Sequence, residues 1–352
     1  MVWQFEAEDG VNASVNSSPA ISDGLVCFGS NDGCFYALDV NTGKKVWAFD
    51  TGDTLFSSPT ISAGVVYFGS RNGHLYALDV KSGKQKWKVR VGGEVFSSPV
   101  ISGGGVYFGS MDGHLYAVET KTGEVKGKFW AGGGVWSSPA IVDGVIYFGS
   151  DDGHLYAIDI KTGKRKWKFL TGDAVKSSPA VSGGVVYFGS MDGYLYAVDA
   201  KTGEKRWRFH AQHQDYPYDD NGAVMAGVIS SPAVSGDNVF LTSFDRHLYA
   251  IDSKTGEEKW KFRTGDGIFS SPAISGSTIY FGGAEGWHGH LYAVDTETGQ
   301  QKSKFKATEL SVWSSPAIAD GVVYFGTMEG HLYAVKERAE TADAPTPNPA
   351  QP

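Results

Sequence analysis

Self-similarity at a fixed period constrains a fold more than any local motif does. Ser-Ser-Pro occurs eight times in these 352 residues, ending at Pro19, Pro59, Pro99, Pro139, Pro179, Pro232, Pro272 and Pro316. Tyr-Ala also occurs eight times, and Trp-x-Phe or a degenerate form of it ends at Phe5, Phe49, Val89, Phe129, Phe169, Phe209, Phe262 and Phe305. One clean unit, Ser57 to Phe96, holds four β-branched or aromatic runs: Ser57–Ile61, Val65–Gly69, His74–Asp79 and Gln85–Arg90. Arg71-Asn72-Gly73 and Lys81-Ser82-Gly83-Lys84 read as hairpin turns in which Gly takes a positive φ. Four antiparallel strands per unit, eight times over, predict an all-β chain folded as a single eight-bladed β-propeller.

The phase of the repeat predicts how the ring closes. The last unit supplies three strands, and the chain opens on an orphan Trp3-Gln4-Phe5. The N-terminal strand is therefore expected to complete the last blade from outside, a 3+1 closure that leaves no open sheet. Residues 1–336 would make up the propeller. The Pro/Ala-rich stretch 337–352 has no periodicity and is expected to be a disordered tail.

Charge and hydropathy exclude several classes. Lys plus Arg number 31 against 39 Asp plus Glu, a net −8, without the basic excess of a nucleic-acid binder. No apolar run approaches the roughly 20 residues that span a bilayer, so no membrane span is expected. Met1-Val-Trp-Gln-Phe-Glu has neither a basic nor an apolar leader region, which fits cytoplasmic residence or an export signal already removed. Cys27 and Cys34 are too few for a disulfide framework and are not expected to pair. Gly-x-Ser-x-Gly, Walker and His-Glu-x-x-His motifs are absent.

Departures from the repeat point to one face. With strands lettered A to D from the axis outward, D–A links and B–C turns share a top face, and A–B and C–D turns a bottom one. Bottom-face spacings are constant, whereas every insertion lies on top. The link from Phe209 to Ser230 spans 21 residues where 8 is usual, and the B–C link from Phe281 to Tyr292 carries three extra. Loops on a rigid scaffold tend to carry binding residues. Six of nine histidines precede Leu-Tyr-Ala and read as scaffold. The other three, His210, His213 and His288, read as part of these insertions, with Asp215, Tyr216, Tyr218 and Trp287. A divalent ion held by His210, His213, Asp215 and His288 is one reading; a partner-contact loop or a structural excursion are the others. Immediately before Ser-Ser-Pro stand Asn16, Phe56, Phe96, Trp136, Lys176, Ile229, Phe269 and Trp313. Aromatics there suit packing between blades, while Lys176 and Trp136 are candidates for the channel mouth. Lysines crowd the C–D turns and strand D, where they discourage edge pairing.

Ala37-Leu-Asp39-Val-Asn-Thr42-Gly43-Lys-Lys-Val-Trp47 resembles the tryptophan-docking repeat of the quinoprotein alcohol dehydrogenases, Ala-x-Asp-x-x-Thr-Gly-x-x-x-Trp. The spacing recurs at Trp87, Trp167, Trp207 and Trp260, while Gly127 and Ser303 replace the Trp and are expected to loosen the girdle locally. The resemblance implies, for a catalytic member, pyrroloquinoline quinone over the channel between a Trp and a disulfide of adjacent cysteines, with calcium and an Asp base. This chain has no adjacent cysteines and none of the long loops. It is similar instead to the non-catalytic branch, typified by the lipoprotein propeller of the outer-membrane assembly machine, although it lacks a lipidation cysteine. That implies a periplasmic or extracellular, monomeric scaffold, without cofactor, that binds a protein partner through its top face. A quinone-dependent oxidoreductase is the alternative.

Overall fold

The computed structural model describes residues 1–8, 13–211, 227–286 and 288–336. They form eight four-stranded antiparallel sheets arranged as an eight-bladed β-propeller. In blade 2, strands A to D are Thr60–Ser62, Val65–Gly69, His74–Asp79 and Gln85–Arg90. The last three coincide with the runs read from the sequence, and Gly73 and Gly83 take φ of 79° and 68° in the turns between them. The innermost strand is shorter than the expected Ser57–Ile61. Pro59 has no N–H to give a ladder, and the two serines before it bond elsewhere.

Those serines tie the ring together. Within Ser57-Ser58, the Ser58 N–H donates to Ser98 Oγ of the next blade at 3.0 Å. The same hand-over runs Ser18 to Ser58, Ser98 to Ser138, Ser138 to Ser178, Ser178 to Ser231, Ser231 to Ser271 and Ser271 to Ser315 at 2.8–3.3 Å. The first serine is buried and bonds to backbone: Ser17 Oγ donates to Gly29 O and accepts from Gly29 N–H, both at 2.8 Å. The Ser-Ser-Pro repeat is thus a belt around the axis, with each net bond contributing about 1 kcal/mol.

Around the perimeter a second belt is made of tryptophans. Trp3, Trp47, Trp87, Trp167 and Trp207 donate their indole N–H to Val40, Val80, Thr120, Ala200 and Ser253 O of the following blade at 2.9–3.1 Å. Closure follows the predicted phase. Strand Trp3–Glu6 pairs antiparallel with His331–Lys336, in the register Trp3↔Ala334 to Glu6↔His331. Between the belts every blade but the sixth, which has Leu241 there, presents a fully buried Phe, such as Phe68 or Phe148, stacked on the Tyr of Tyr-Ala at 5.2–5.5 Å.

Connections fall on two faces as expected. On the bottom, Val40 N–H donates to Gly24 O, joining a C–D to an A–B turn. On top, the D–A link binds the B–C turn: Thr51 N–H to Gly33 O at 2.9 Å and Leu55 N–H to Ser30 O at 3.3 Å.

Candidate functional site

The top face is centred on the residues before Ser-Ser-Pro. In Leu55-Phe56-Ser57 the outer two are fully buried within the blade, so Phe56 points the other way, toward the axis. The same alternation puts Asn16, Phe96, Trp136, Lys176, Ile229, Phe269 and Trp313 at the channel mouth, each partly exposed. The aromatics among them pack from blade to blade, as expected, and they do so around the mouth. Phe56 meets Phe96 edge-on at 5.6 Å, Phe96 stacks on Trp136 at 4.1 Å, and Lys176 Nζ lies 5.6 Å from the Trp136 ring centre. A cation over indole is attracted by the ring quadrupole. Opposite, Phe269 stacks on Trp313 at 4.2 Å, with Phe244 edge-on to Phe269 at 4.5 Å.

A second circle lies just outside, at the residue that follows Gly-Ser at the end of strand B. There Asp151 was missed by sequence reasoning. Its carboxylate lies over Gly134, where a Cβ would come within 2.8 Å of Oδ2. Its Oδ1 is buried and receives no hydrogen bond among the described residues. Burial pushes the Asp151 carboxyl up from its ordinary value, Lys176 opposes the shift, and Asp152 and Asp173 add to it. The signal was available in the repeat, since this position reads Asn31, Arg71, Met111, Asp151 and Met191 while its neighbours hardly vary.

A raised carboxyl pKa means that the folded state holds the proton more tightly than the unfolded state. Asp151 therefore removes stability as pH rises from 3.8, the ordinary Asp value, through the raised one. Asp151→Asn is expected to raise the melting temperature at pH 7. The gain should vanish as pH falls to the ordinary value, which thermal unfolding across a pH series would record. A gain independent of pH would contradict it.

The other expected residues separate. His210 ends strand D of blade 5, paired with Tyr194 and stacked on it at 4.3 Å. It occupies the position of Asp50, Arg90, Trp130 and Leu170 in other blades, so it is a strand residue and not part of the insertion. Burial and Arg208 draw its pKa down. His288 lies in blade 7, where the insertion lengthens the B–C hairpin to Thr278–Glu285 and His288–Asp295. Its Nδ1 is 2.8 Å from Glu309 Oε2. Blade 6 stands between the two histidines. His213, Asp215, Tyr216, Tyr218 and Trp287, and the tail 337–352, lie outside the described residues. Of the repeat histidines, His74 and His114 sit 3.1–3.2 Å from Asn72 and Asp112 of their own turns, as scaffold.

The chain matches the family described as outer membrane protein assembly factor BamB over residues 32–137, 127–225 and 221–348. It belongs to that family. A search of curated proteins by sequence gives no match. Among solved structures it is similar to BamB from Moraxella catarrhalis, at 19% identity and TM-score 0.76 over 96% of this chain and 98% of that one. The computationally designed Ika8 protein gives 19% and 0.78 over 93% and 98%. A europium-containing methanol dehydrogenase gives 14% and 0.76 over 92% and 85%. These likenesses establish the fold.

Quinohemoprotein alcohol dehydrogenases, at 16% identity and TM-scores of 0.75 and 0.77, share this fold too, so the mouth can be tested for fit to a quinone. Trp136 offers a stacking surface and Lys176 a cation. Yet no three of His, Cys, Asp and Glu come together among the described residues, which leaves a calcium ion without a cage. Cys27 and Cys34 are both free thiols, on strands B and C of blade 1, and burial pushes the Cys27 thiol up to about 12. The described residues do not fit a calcium-held quinone. No helix among them is long and apolar enough to cross a membrane.

Proposed function

We propose that this chain is a non-catalytic binding propeller that engages a protein partner through its top face, centred on the channel mouth. The observation that carries the proposal is the partly exposed arc Phe56–Phe96–Trp136, capped by Lys176 and faced by Phe269–Trp313. Stacked aromatics beside one cation are the composition of an interface centre, and the closure of the ring does not need them, since the serine and tryptophan belts supply it. The description of the family as an assembly factor supports a protein partner. His210 and His288, with His213, Asp215, Tyr216, Tyr218 and Trp287 of the two insertions, belong to the same proposal as the rim of that surface.

The second reading is a quinone-dependent oxidoreductase, favoured only by Trp136 and Lys176 at the mouth. Titration with pyrroloquinoline quinone, with and without calcium, followed by tryptophan quenching and thermal shift, separates the two. A binding scaffold gives no saturable response. Micromolar binding that is lost on Lys176→Ala would overturn the scaffold and direct attention to alcohol oxidation.

A further inference from the structure

The tryptophan belt has a gap, and the gap is shaped. Each docked indole lies against the glycine of the next blade's Thr-Gly turn: Trp3 on Gly43, Trp47 on Gly83, Trp87 on Gly123, Trp167 on Gly203, Trp207 on Gly256 and Trp260 on Gly299. In blade 3 the Trp position is Gly127, and Gly163 of blade 4, which should receive its ring, meets nothing within 4 Å. Blade 4 has not closed over the space. A pocket of about 410 Å³ remains, walled by Tyr107, Phe129, Ile146, Ile158, Ile160 and Gly163. That lies within the roughly 300–1,000 Å³ of ordinary ligand sites. Ser303, the other position without Trp, faces blade 8, whose outer strand is Trp3–Glu6, so no C–D turn with a glycine seat is present there among the described residues.

The filled sockets say what fits the empty one. In four of the six the indole lies 5.7–5.8 Å from a strand-B tyrosine: Tyr67–Trp87, Tyr147–Trp167, Tyr187–Trp207 and Tyr324–Trp3. In those four the N–H also reaches a turn carbonyl. In the empty socket Tyr107 is the tyrosine, Gly163 the seat, and Ile160 O the counterpart of Val80, Thr120 and Ala200 O. Lys126, Lys128 and Lys161 line the entrance. Lys126 is engaged by Glu119 and Glu124, and Lys128 shares the opposite face of its strand with Tyr116, which leaves Lys161 as the cation facing a newcomer. Large apolar side chains are also exposed beside it: Val125 at 41% and Trp130 at 67% on the same edge strand, and Leu170 at 64% on the next blade. An apolar edge of that extent suits a polypeptide more than a small molecule.

We infer that the groove between blades 3 and 4 is a docking site for a tryptophan side chain carried on an acidic segment of a partner protein. The indole takes the place of the missing docked Trp, with its N–H donated to Ile160 O and a flanking carboxylate at Lys161. The site lies on the flank and is separate from the channel mouth.

A fluorescein-labelled, end-blocked Asp-Glu-Trp-Glu-Asp peptide, titrated with the full chain and read by anisotropy, tests it. Saturable binding is expected, at least tenfold weaker when the peptide's Trp is replaced by Ala. Gly127→Trp, which fills the socket from within, should weaken binding at least tenfold without lowering the melting temperature, since a Cβ at Gly127 meets nothing within 4 Å. Gly127→Leu serves if the first variant does not fold. Lys161→Glu should weaken binding severalfold, and Trp136→Ala should leave it unchanged. Absence of saturable binding, or binding indifferent to the Gly127 variants, would overturn the site. Binding lost on Trp136→Ala would assign the peptide to the mouth. N-acetyl-tryptophanamide competing as well as the peptide would replace the acidic segment with a free indole compound.

Discussion

Removal of residues 1–8 is expected to lower the melting temperature by on the order of 10 °C and to broaden the transition. Strand Trp3–Glu6 belongs to blade 8 by its ladder and to blade 1 by its side chains. Val2 and Ala7 extend the ladder by donating to Ala334 and Gly330 O at 2.8 and 2.9 Å. Trp3 donates to Val40 O and packs on Tyr324, while Phe5 meets Phe28 and Tyr36 at 6.0 and 5.4 Å. Burying two aromatic side chains contributes about 1.5–3 kcal/mol each, and the ladder adds about 1 kcal/mol per net bond. The sum is a large share of the roughly 5–15 kcal/mol by which a domain is stable. Calorimetry and circular dichroism would record the loss, and a peptide of residues 1–8 added in trans should restore part of it. A melting temperature within 2 °C of the parent would contradict the closure.

At the channel mouth the expected effect is on binding. Trp136→Ala removes the centre of the Phe56–Phe96–Trp136–Lys176 run. Truncating a central interface aromatic costs about 2–4 kcal/mol, or roughly 30- to 1,000-fold in Kd. Lys176→Glu reverses the one cation in that circle and adds repulsion from Asp151, so it should weaken an acidic or polar partner comparably. Neither change touches the serine or tryptophan belts, and both should melt close to the parent. Loss of fold in either variant would mean that the arc is core rather than interface.

Much of this was legible in the amino-acid sequence, for physical reasons that differ by element. Strands B to D of each blade announce themselves because Gly73 and Gly83 fix the turns and the runs between them alternate. Ring closure was legible because Trp3-Gln4-Phe5 is a strand-D signal with no blade in front of it. The purpose of Ser-Ser-Pro was not, because its hydrogen bonds join residues about 40 positions apart that become neighbours only in a closed ring. His210 was assigned to the insertion because the link was counted from Phe209, the last residue of Trp-x-Phe, whereas strand D runs one residue further in each blade from 1 to 6. Asp151 hid among turn aspartates, although its neighbour Asp152 is the turn residue, accepting from Tyr156 OH at 2.6 Å. Gly127 was read as a loosened girdle, and only the three-dimensional walls show that the space stays open.

Site-specific photocrosslinking in the native cell tests the central claim most directly. Benzoylphenylalanine in place of Phe96 would report from the channel mouth, and in place of Lys121 from a bottom-face turn. The predicted result is a discrete protein adduct from the first position alone, abolished by Lys176→Glu in the same chain. Adducts only from the bottom face, or none from the mouth, would contradict the top face as the binding surface.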